Sequence, residues 1–280
     1  MEKYAVISID VEDWNHLDYF SSDSKRHYSM LDGLNNFLEI VDDKNIKTTL
    51  FTLSDVIPDV RSDLFDAIKA GHEIASHGKS HIRPLTQERK DFINETYFSK
   101  EKIEQELSTE VIGYRAPCFS MNNDLLEVIH NAGFKYDSSM IEFSDHPLYG
   151  GIQKKDFDCI TSNIYRDNNL FEFELPTLKV LNKNIPISGG GYLRIFPWLL
   201  MKKLLQKYFL SSDTYFLYIH PFELSKKQIF QVEGESYLKN LRFRTGHKRT
   251  SEKFKKLLNL LEINGYKFIN FNDLVKLHSL

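Results

Sequence analysis

Gly71-His72-Glu73-Ile74-Ala75-Ser76-His77-Gly78-Lys79-Ser80-His81 is the stretch around which this 280-residue chain is organised. Its first half, His72 to Ser76, reads as a short strand. Its second half reads as a loop or first helical turn carrying two histidines four residues apart. On one helical turn, residues i and i+4 share a face, so the spacing predicts two imidazoles holding one metal ion together.

Strand and helix alternate on both sides of this stretch. Residues 4–9 are an apolar, β-branched run, followed by the acids Asp10, Glu12 and Asp13. That is a buried parallel strand delivering carboxylates at its C-terminal end. Residues 30–44 have helical periodicity, and Lys47 to Leu53 is the next strand. Pro58 opens a helix with the apolar face Val60, Leu64 and Ile68, and Gly71 caps it. A charged helix follows over residues 86–107, then a strand at 111–114 that runs into Arg115-Ala116-Pro117-Cys118-Phe119. A helix to Asn131 and a short strand at 134–136 lead to Asp137.

Residues 140–170 have no sustained period and read as an irregular excursion with a short hairpin. A strand at 171–175 follows, then a tight turn at Gly189-Gly190-Gly191 that opens no helix. A helix at 197–209 leads to an aromatic strand at 215–219 ending in His220. Residues 225–247 read as a polar loop, 250–263 as a helix, and a short strand and helix close the chain. About seven strand–helix repeats predict an α/β fold with a parallel sheet, and the lack of a linker predicts one domain over residues 1–280. Asp10, His77, Arg115, Asp137 and His220 all fall at strand ends, the rim on which parallel barrels build active sites.

Composition narrows the classes. The chain is 41% apolar, which is enough for a sizeable core. A net charge of −3 argues against a nucleic-acid partner. Two cysteines, Cys118 and Cys159, exclude a disulfide scaffold and point to the cytoplasm. The amino-terminal residues show no signal-peptide pattern, and no window is apolar enough for a membrane span.

The rim residues suggest a hydrolytic centre. His77 and His81 need a carboxylate from another strand end to complete a metal site with open positions. Asp10, Glu12 and Asp13 are the sources, with one acid on the metal and another as general base. Arg115 is placed to orient the base, and His220 to protonate a leaving amine with Asp137 tuning it. The Cys118 thiol has no catalytic partner nearby in sequence, so its backbone N–H is the better candidate, as an oxyanion donor. Trp14, Tyr114, Phe119 and Tyr192 are candidates for stacking on sugar rings.

With these residues in view, the chain resembles polysaccharide deacetylases of carbohydrate esterase family 4, the NodB-homology type. Five blocks carry the resemblance over roughly residues 4–223: Ser8 to Trp14, Ser76 to His81, Gly113 to Phe119, Tyr136 to Ser139, and Tyr218 to Pro221. Gly189 to Arg194 and the Arg242-Phe243-Arg244 region further resemble a branch found with exopolysaccharide and surface-glycan genes. The resemblance implies a distorted (β/α) barrel and one divalent metal, usually zinc. It implies Asp10 as base, Asp13 or Glu12 with His77 and His81 as metal ligands, and Arg115, Asp137 and His220 in the roles given above. The first block departs from the family, which usually has two adjacent Asp and a Gly where this chain has Asp-Val-Glu-Asp-Trp. The function implied is removal of an N-acetyl group from an amino sugar in a nucleotide- or lipid-linked glycan precursor. The alternatives are a small cyclic amide or amidine hydrolase of the same fold, and an inactive glycan-binding relative.

Overall fold

β1 (Lys3–Val11) shows how the chain divides its side chains between two layers. Ala5, Ile7, Ile9 and Val11 enter the larger apolar core, while Val6 joins a second, aromatic core. Successive strand residues face opposite sides, so Ser8 and Asp10 share the face of Val6. The structure is a computed structural model and describes residues 2–18, 20, 28–143 and 146–279.

From β1 the chain runs through α1 (Gly33–Asp42), β2 (Thr49–Thr52), α2 (Ile57–Ala70), β3 (Glu73–Ser76), α3 (Arg89–Leu107), β4 (Gly113–Tyr114), α4 (Asn123–Asn131) and β5 (Tyr136–Asp137). A hairpin of β6 (Asp158–Thr161) and β7 (Ile164–Asp167) leads into β8 (Leu170–Phe173), and β9 (Thr177–Val180) pairs with β10 (Lys183–Pro186). The rest is α5 (Gly190–Ile195), α6 (Trp198–Tyr208), β11 (Thr214–Ile219), α7 (Pro221–Leu224), α8 (Tyr237–Arg244), α9 (Thr250–Ile263), β12 (Tyr266–Phe268) and α10 (Phe271–Ser279). Gly71 ends α2 in the left-handed region, at φ +89°.

Among the described residues the main sheet has the order β11-β1-β2-β3-β4-β5-β8-β7-β6. It is parallel from β11 to β8 and antiparallel at β7 and β6. β11 pairs with Tyr4–Ile9 of β1, while β12 pairs with Lys3–Ala5 and β2 with Ser8–Val11. This curled, mostly parallel sheet with its helices is a distorted (β/α) barrel, as the strand–helix repeats and the resemblance predict.

Two expectations change and one element is added. The glycine run does open a helix, α5, because Gly190 packs where a side chain would collide with Glu223. The expected polar loop at 225–247 contains α8, which buries Asn240 and Phe243 against the body of the protein. β9 and β10 form a hairpin in a stretch with no strong alternation.

The aromatic core lies on the inner face of the sheet. Phe51, Tyr136, Phe173 and Phe216 surround Phe271 of α10, with ring centroids 4.8–5.9 Å apart. Glu73 sits beside them, buried. It accepts hydrogen bonds from Thr49 Oγ1 (2.6 Å), Tyr136 Oη (2.8 Å) and the Asn272 N–H of α10 (3.0 Å). Burial pushes its carboxyl up to about 7 in spite of these bonds. Its folded pKa thus exceeds the unfolded value of 4.5. Its contribution to stability is fully present below that lower value and is lost as pH rises through about 7. We expect the unfolding free energy to fall by roughly 3 kcal/mol across this window, and Glu73→Gln to remove the slope. Urea melts on either side of the window check this, and an unchanged slope in the variant would assign it to another group.

Candidate active site

The chain leaves β3 at Ser76 and doubles back within five residues. Gly78 (φ +83°) and His81 (φ +64°) adopt left-handed conformations. Of the two readings of this segment, a loop or a first helical turn, the structure adopts the loop, which is curled. Glycine reaches this region without strain, and the surrounding structure must hold His81 there. The curl brings the His77 and His81 rings to 5.3 Å between centroids.

Glu12 completes the group. One ligand atom each from Glu12, His77 and His81 lies within 4.8 Å of the others, and all three side chains are buried. His77 Nδ1 donates to the Arg115 carbonyl at 2.8 Å, which leaves Nε2 bare as a lone pair. Glu12 Oε2 lies 2.9 Å from His81 Nε2, yet the contact is not directed as a hydrogen bond. Glu12 Oε2 and His81 Nδ1 are thus buried polar atoms without hydrogen-bond partners among the described residues. Burial drives the Glu12 carboxyl up, but the three histidines around it, His81 foremost, hold it at about 2. Burial pushes the His77 imidazole down to about 4, so it is neutral. An anionic oxygen, a neutral imidazole and unspent buried lone pairs fit a divalent cation.

Asp13 lies outside this group. Its Oδ1 accepts the N–H of Trp14 at 2.8 Å and of Met30 at 2.9 Å, capping the short 3-10 turn Trp14–His16. The chain turns one residue earlier than an adjacent-acid reading requires, which sends Glu12 inward and Asp13 to the backbone. Trp14 follows Asp13 away from the pocket. It packs on Phe230 and Phe243, and its Nε1 donates to the Tyr28 carbonyl.

Asp10 and Arg115 form the ion pair expected from the sequence. Arg115 Nη1 donates to Asp10 Oδ1 at 2.7 Å and to Ser8 Oγ at 2.9 Å. Its Nη2 and Nε donate to Ser138 Oγ and the Ser138 carbonyl. The guanidinium is fully buried and stacks 3.9 Å from the centre of the Phe51 ring. Every donor face is engaged, so Asp10 is held in one orientation.

Asp137 does not reach His220. Strand register sets it opposite Glu172, and it accepts from Ser139 N–H and Ser139 Oγ. Burial raises both carboxyls, Asp137 to about 6 and Glu172 well above its usual range, and the two are hydrogen-bonded. Glu172 therefore holds the proton between them.

The partner of His220 is Glu223, which sequence reasoning passed over. His220 Nδ1 lies 3.2 Å from Glu223 Oε2, which also accepts the His220 backbone N–H at 3.1 Å. His220 Nε2 lies 3.4 Å from Glu12 Oε1. Burial lowers the His220 pKa, but Glu223 first, then Glu12 and Asp10, push it up to about 9. Glu223 is tied in turn to Arg194 Nε at 3.4 Å, and Arg194 Nη1 donates to the carbonyls of Arg242 and Phe243. A Cβ on Gly190 would sit 1.9 Å from Glu223 Oε2. The signal was present in His220-Pro221-Phe222-Glu223, whose i to i+3 spacing at a helix start is a capping box.

These groups open onto one pocket of about 410 Å³. Asp10, Glu12, His77, His81, His220 and Glu223 line it together with Phe119, Tyr149, Tyr192, Tyr218 and Arg242. Phe119 and Tyr192, two of the aromatic candidates, thus line this pocket. Tyr114 does not; it is buried against Phe92 and Phe134 on the helix side. Cys118 lines the pocket at φ +52°, with Sγ donating to Asp18 Oδ2 at 2.7 Å. Burial and Asp18 push its thiol far up, which rules it out as a nucleophile.

Residues 28–136 match the family model for polysaccharide deacetylase, and residues 138–276 match a domain of unknown function, DUF3473. A peptidoglycan deacetylase of Helicobacter pylori (strain ATCC 700392 / 26695) is 27% identical over 117 residues, which span 42% of this chain and 40% of that protein. The Xyl-CE4 domain of a multidomain xylanase from the hindgut metagenome of Trinervitermes trinervoides superposes with a TM-score of 0.56 at 14% identity, covering 100% of this chain and 93% of that one. Puue allantoinase gives 0.61 at 11% identity, covering 98% and 89%. A CE4 family pseudoenzyme from Bacillus anthracis gives 0.57 at 12% identity, covering 98% and 66%. The three superpositions show a shared fold. The first family model spans the strands that carry His77, His81 and Arg115, so residues 28–136 are similar to polysaccharide deacetylases and the whole chain shares their fold.

Proposed function

We propose that the chain is a metal-dependent hydrolase that removes an N-acetyl group from an amino sugar of a surface glycan or its precursor. The observation that carries this reading is the convergence of three devices on one pocket. These are the Glu12–His77–His81 group, Asp10 fixed by Arg115, and His220 fixed by Glu223. That residues from both ends of the chain line the pocket supports residues 1–280 acting as one catalytic domain.

Glu12, His77 and His81 would hold the ion, zinc by the family resemblance. When bound there it supplies Lewis acidity toward an amide carbonyl and toward water. Asp10, with Oδ1 engaged by Arg115, receives the proton of the attacking water on its other oxygen. His220 keeps Nδ1 against Glu223 and turns Nε2 to the pocket, where it delivers a proton to the departing amine. Cys118 offers its backbone N–H to the developing oxyanion. Phe119 and Tyr192 provide faces for the sugar ring. A nucleotide- or lipid-linked saccharide is the substrate class favoured by the branch resemblance.

Acetate release from N-acetylated saccharides by zinc-loaded protein, with and without chelator, tests the reading. Fully metal-loaded protein that releases no acetate across a broad panel would overturn it in favour of an inactive relative. Glu223→Gln is expected to lower kcat at least about tenfold with KM little changed, because His220 loses its anionic anchor. Gly190→Ala is expected to do the same from outside the pocket by displacing Glu223. Steady-state kinetics of the two variants check this, and parental kcat in both would remove Glu223 from the mechanism.

A further inference from the structure

Beside the pocket mouth lies a face that the reaction does not use. α8 turns Asn240 and Phe243 inward and leaves Tyr237 (75% exposed), Leu238 (74%) and Leu241 (48%) in water. The junction of α5 and α6, which borders the same pocket through Ile195 and Phe196, exposes Ile195 and Leu199. The two segments are tied directly, since Arg194 reaches the α8 carbonyls and Gly246 packs against the Arg194 carbonyl. Exposed apolar residues clustered at the edge of a site mark a docking surface.

Charge indicates what docks there. Behind α8 is a second cleft, of about 610 Å³, bordered by Tyr237, Leu241, Arg244, Lys248 and Arg249. No carboxylate lines it among the described residues. Arg244, Lys248 and Arg249 are exposed and form no salt bridge among the described residues, whereas Glu235 is engaged by Lys239 at 2.8 Å. Leucine and tyrosine beside exposed arginine and lysine that form no salt bridge among the described residues are the pattern of interfacial binding, with apolar side chains entering the acyl boundary and cations meeting lipid phosphates. A protein partner would need carboxylates placed to match, whereas an anionic bilayer presents phosphates everywhere. Among the described residues no helix is long and apolar enough to cross a membrane, so attachment through this face is peripheral.

We propose that the α8 face docks on an anionic lipid bilayer and holds the pocket mouth at the membrane surface. The docking stands without the reaction. Its use, presenting a lipid-linked saccharide to Asp10 and His220, rests on the function proposed above.

Flotation with phosphatidylcholine vesicles, with and without phosphatidylglycerol, at low and high salt, is the test. The protein is expected to float only with the anionic vesicles and to be released by salt. Reversing Arg244, Lys248 and Arg249 to Glu together is expected to weaken partition about a hundredfold. Leu238→Glu with Leu241→Glu, both on the surface, is expected to weaken it at least about tenfold. His220→Ala should bind vesicles like the parent, so a failure of the deacetylase reading leaves this result intact. Equal partition into neutral vesicles, or charge reversal without effect, would overturn the proposal. So would a concentration-dependent dimer that Leu238→Glu dissolves with no vesicle binding, which would assign the face to a second copy.

Discussion

Glu12→Gln is expected to leave the protein unable to retain metal, while Asp13→Ala keeps it. The two acids are neighbours in sequence, yet the structure gives them different surroundings. Glu12 is buried among three histidines with an oxygen that has no hydrogen-bond partner among the described residues. Asp13 has its Oδ1 spent on two backbone N–H groups. Losing Glu12 removes the only anion from the three-membered group and should weaken metal affinity by more than about 100-fold, since even outer partners of a ligand are worth 10- to 100-fold. Losing Asp13 removes a cap and should cost about 1–2 kcal/mol of stability with metal content unchanged. Metal analysis after zinc reconstitution and dialysis, paired with thermal melts, separates the outcomes. Metal retained in Glu12→Gln and lost in Asp13→Ala would reverse the assignment.

The second large effect concerns Asp10. Asp10→Asn should lower kcat for acetate release by roughly two to four orders of magnitude, the usual worth of a general base. The amide still offers Arg115 an acceptor oxygen, so the fold should survive. Both variants remove the counter-charge of the fully buried guanidinium, but Asp10→Ala also removes the oxygen that accepts from Arg115 Nη1. Breaking a buried pair from one side costs about 3–5 kcal/mol. The alanine variant should therefore be both inactive and strongly thermally labile, and the asparagine variant inactive and less destabilised, because its amide oxygen still accepts from Arg115. Kinetics and calorimetry on the two proteins are sufficient. Activity in Asp10→Asn within tenfold of the parent would mean that another group accepts the water proton.

The barrel was legible because its strands announce themselves by local composition. Residues 4–9 and 215–219 are apolar runs ending in an acid and a histidine, and parity along each strand places Asp10 and His220 on the inner side. His77 and Arg115 follow from the same rule, whereas His81 depends on the curl of the loop after β3. What was not legible depends on the direction the chain takes after the strand stops. Glu12 and Asp13 differ by one residue, and only the turn after Val11 decides which enters the pocket. Asp137 was expected beside His220, but the pairing of β5 with β8 gives it Glu172 as a neighbour. Trp14 and Tyr114 are aromatic residues next to functional ones, and an aromatic side chain serves a core as readily as a sugar cleft. α8 was missed because its exposed face carries leucine and tyrosine, which blurs the apolar stripe that marks a surface helix.

The pairing of β1 carries a further consequence, for the order in which the protein is made. Only Ser8–Val11 of this strand can pair with an early neighbour, β2; Tyr4–Ile9 wait for residues 214–219 and Lys3–Ala5 for residues 266–268. On the ribosome, the strand that bears the proposed base emerges long before the partners that fix it. Asp10 cannot be locked beside His220 until β11 has left the exit tunnel. For most of synthesis, therefore, an apolar strand stands with one edge open, a state in which nascent chains associate with one another. The proposed catalytic centre closes as a late event of folding, and a stalled chain ending before Thr214 carries the candidate metal ligands without the proposed acid.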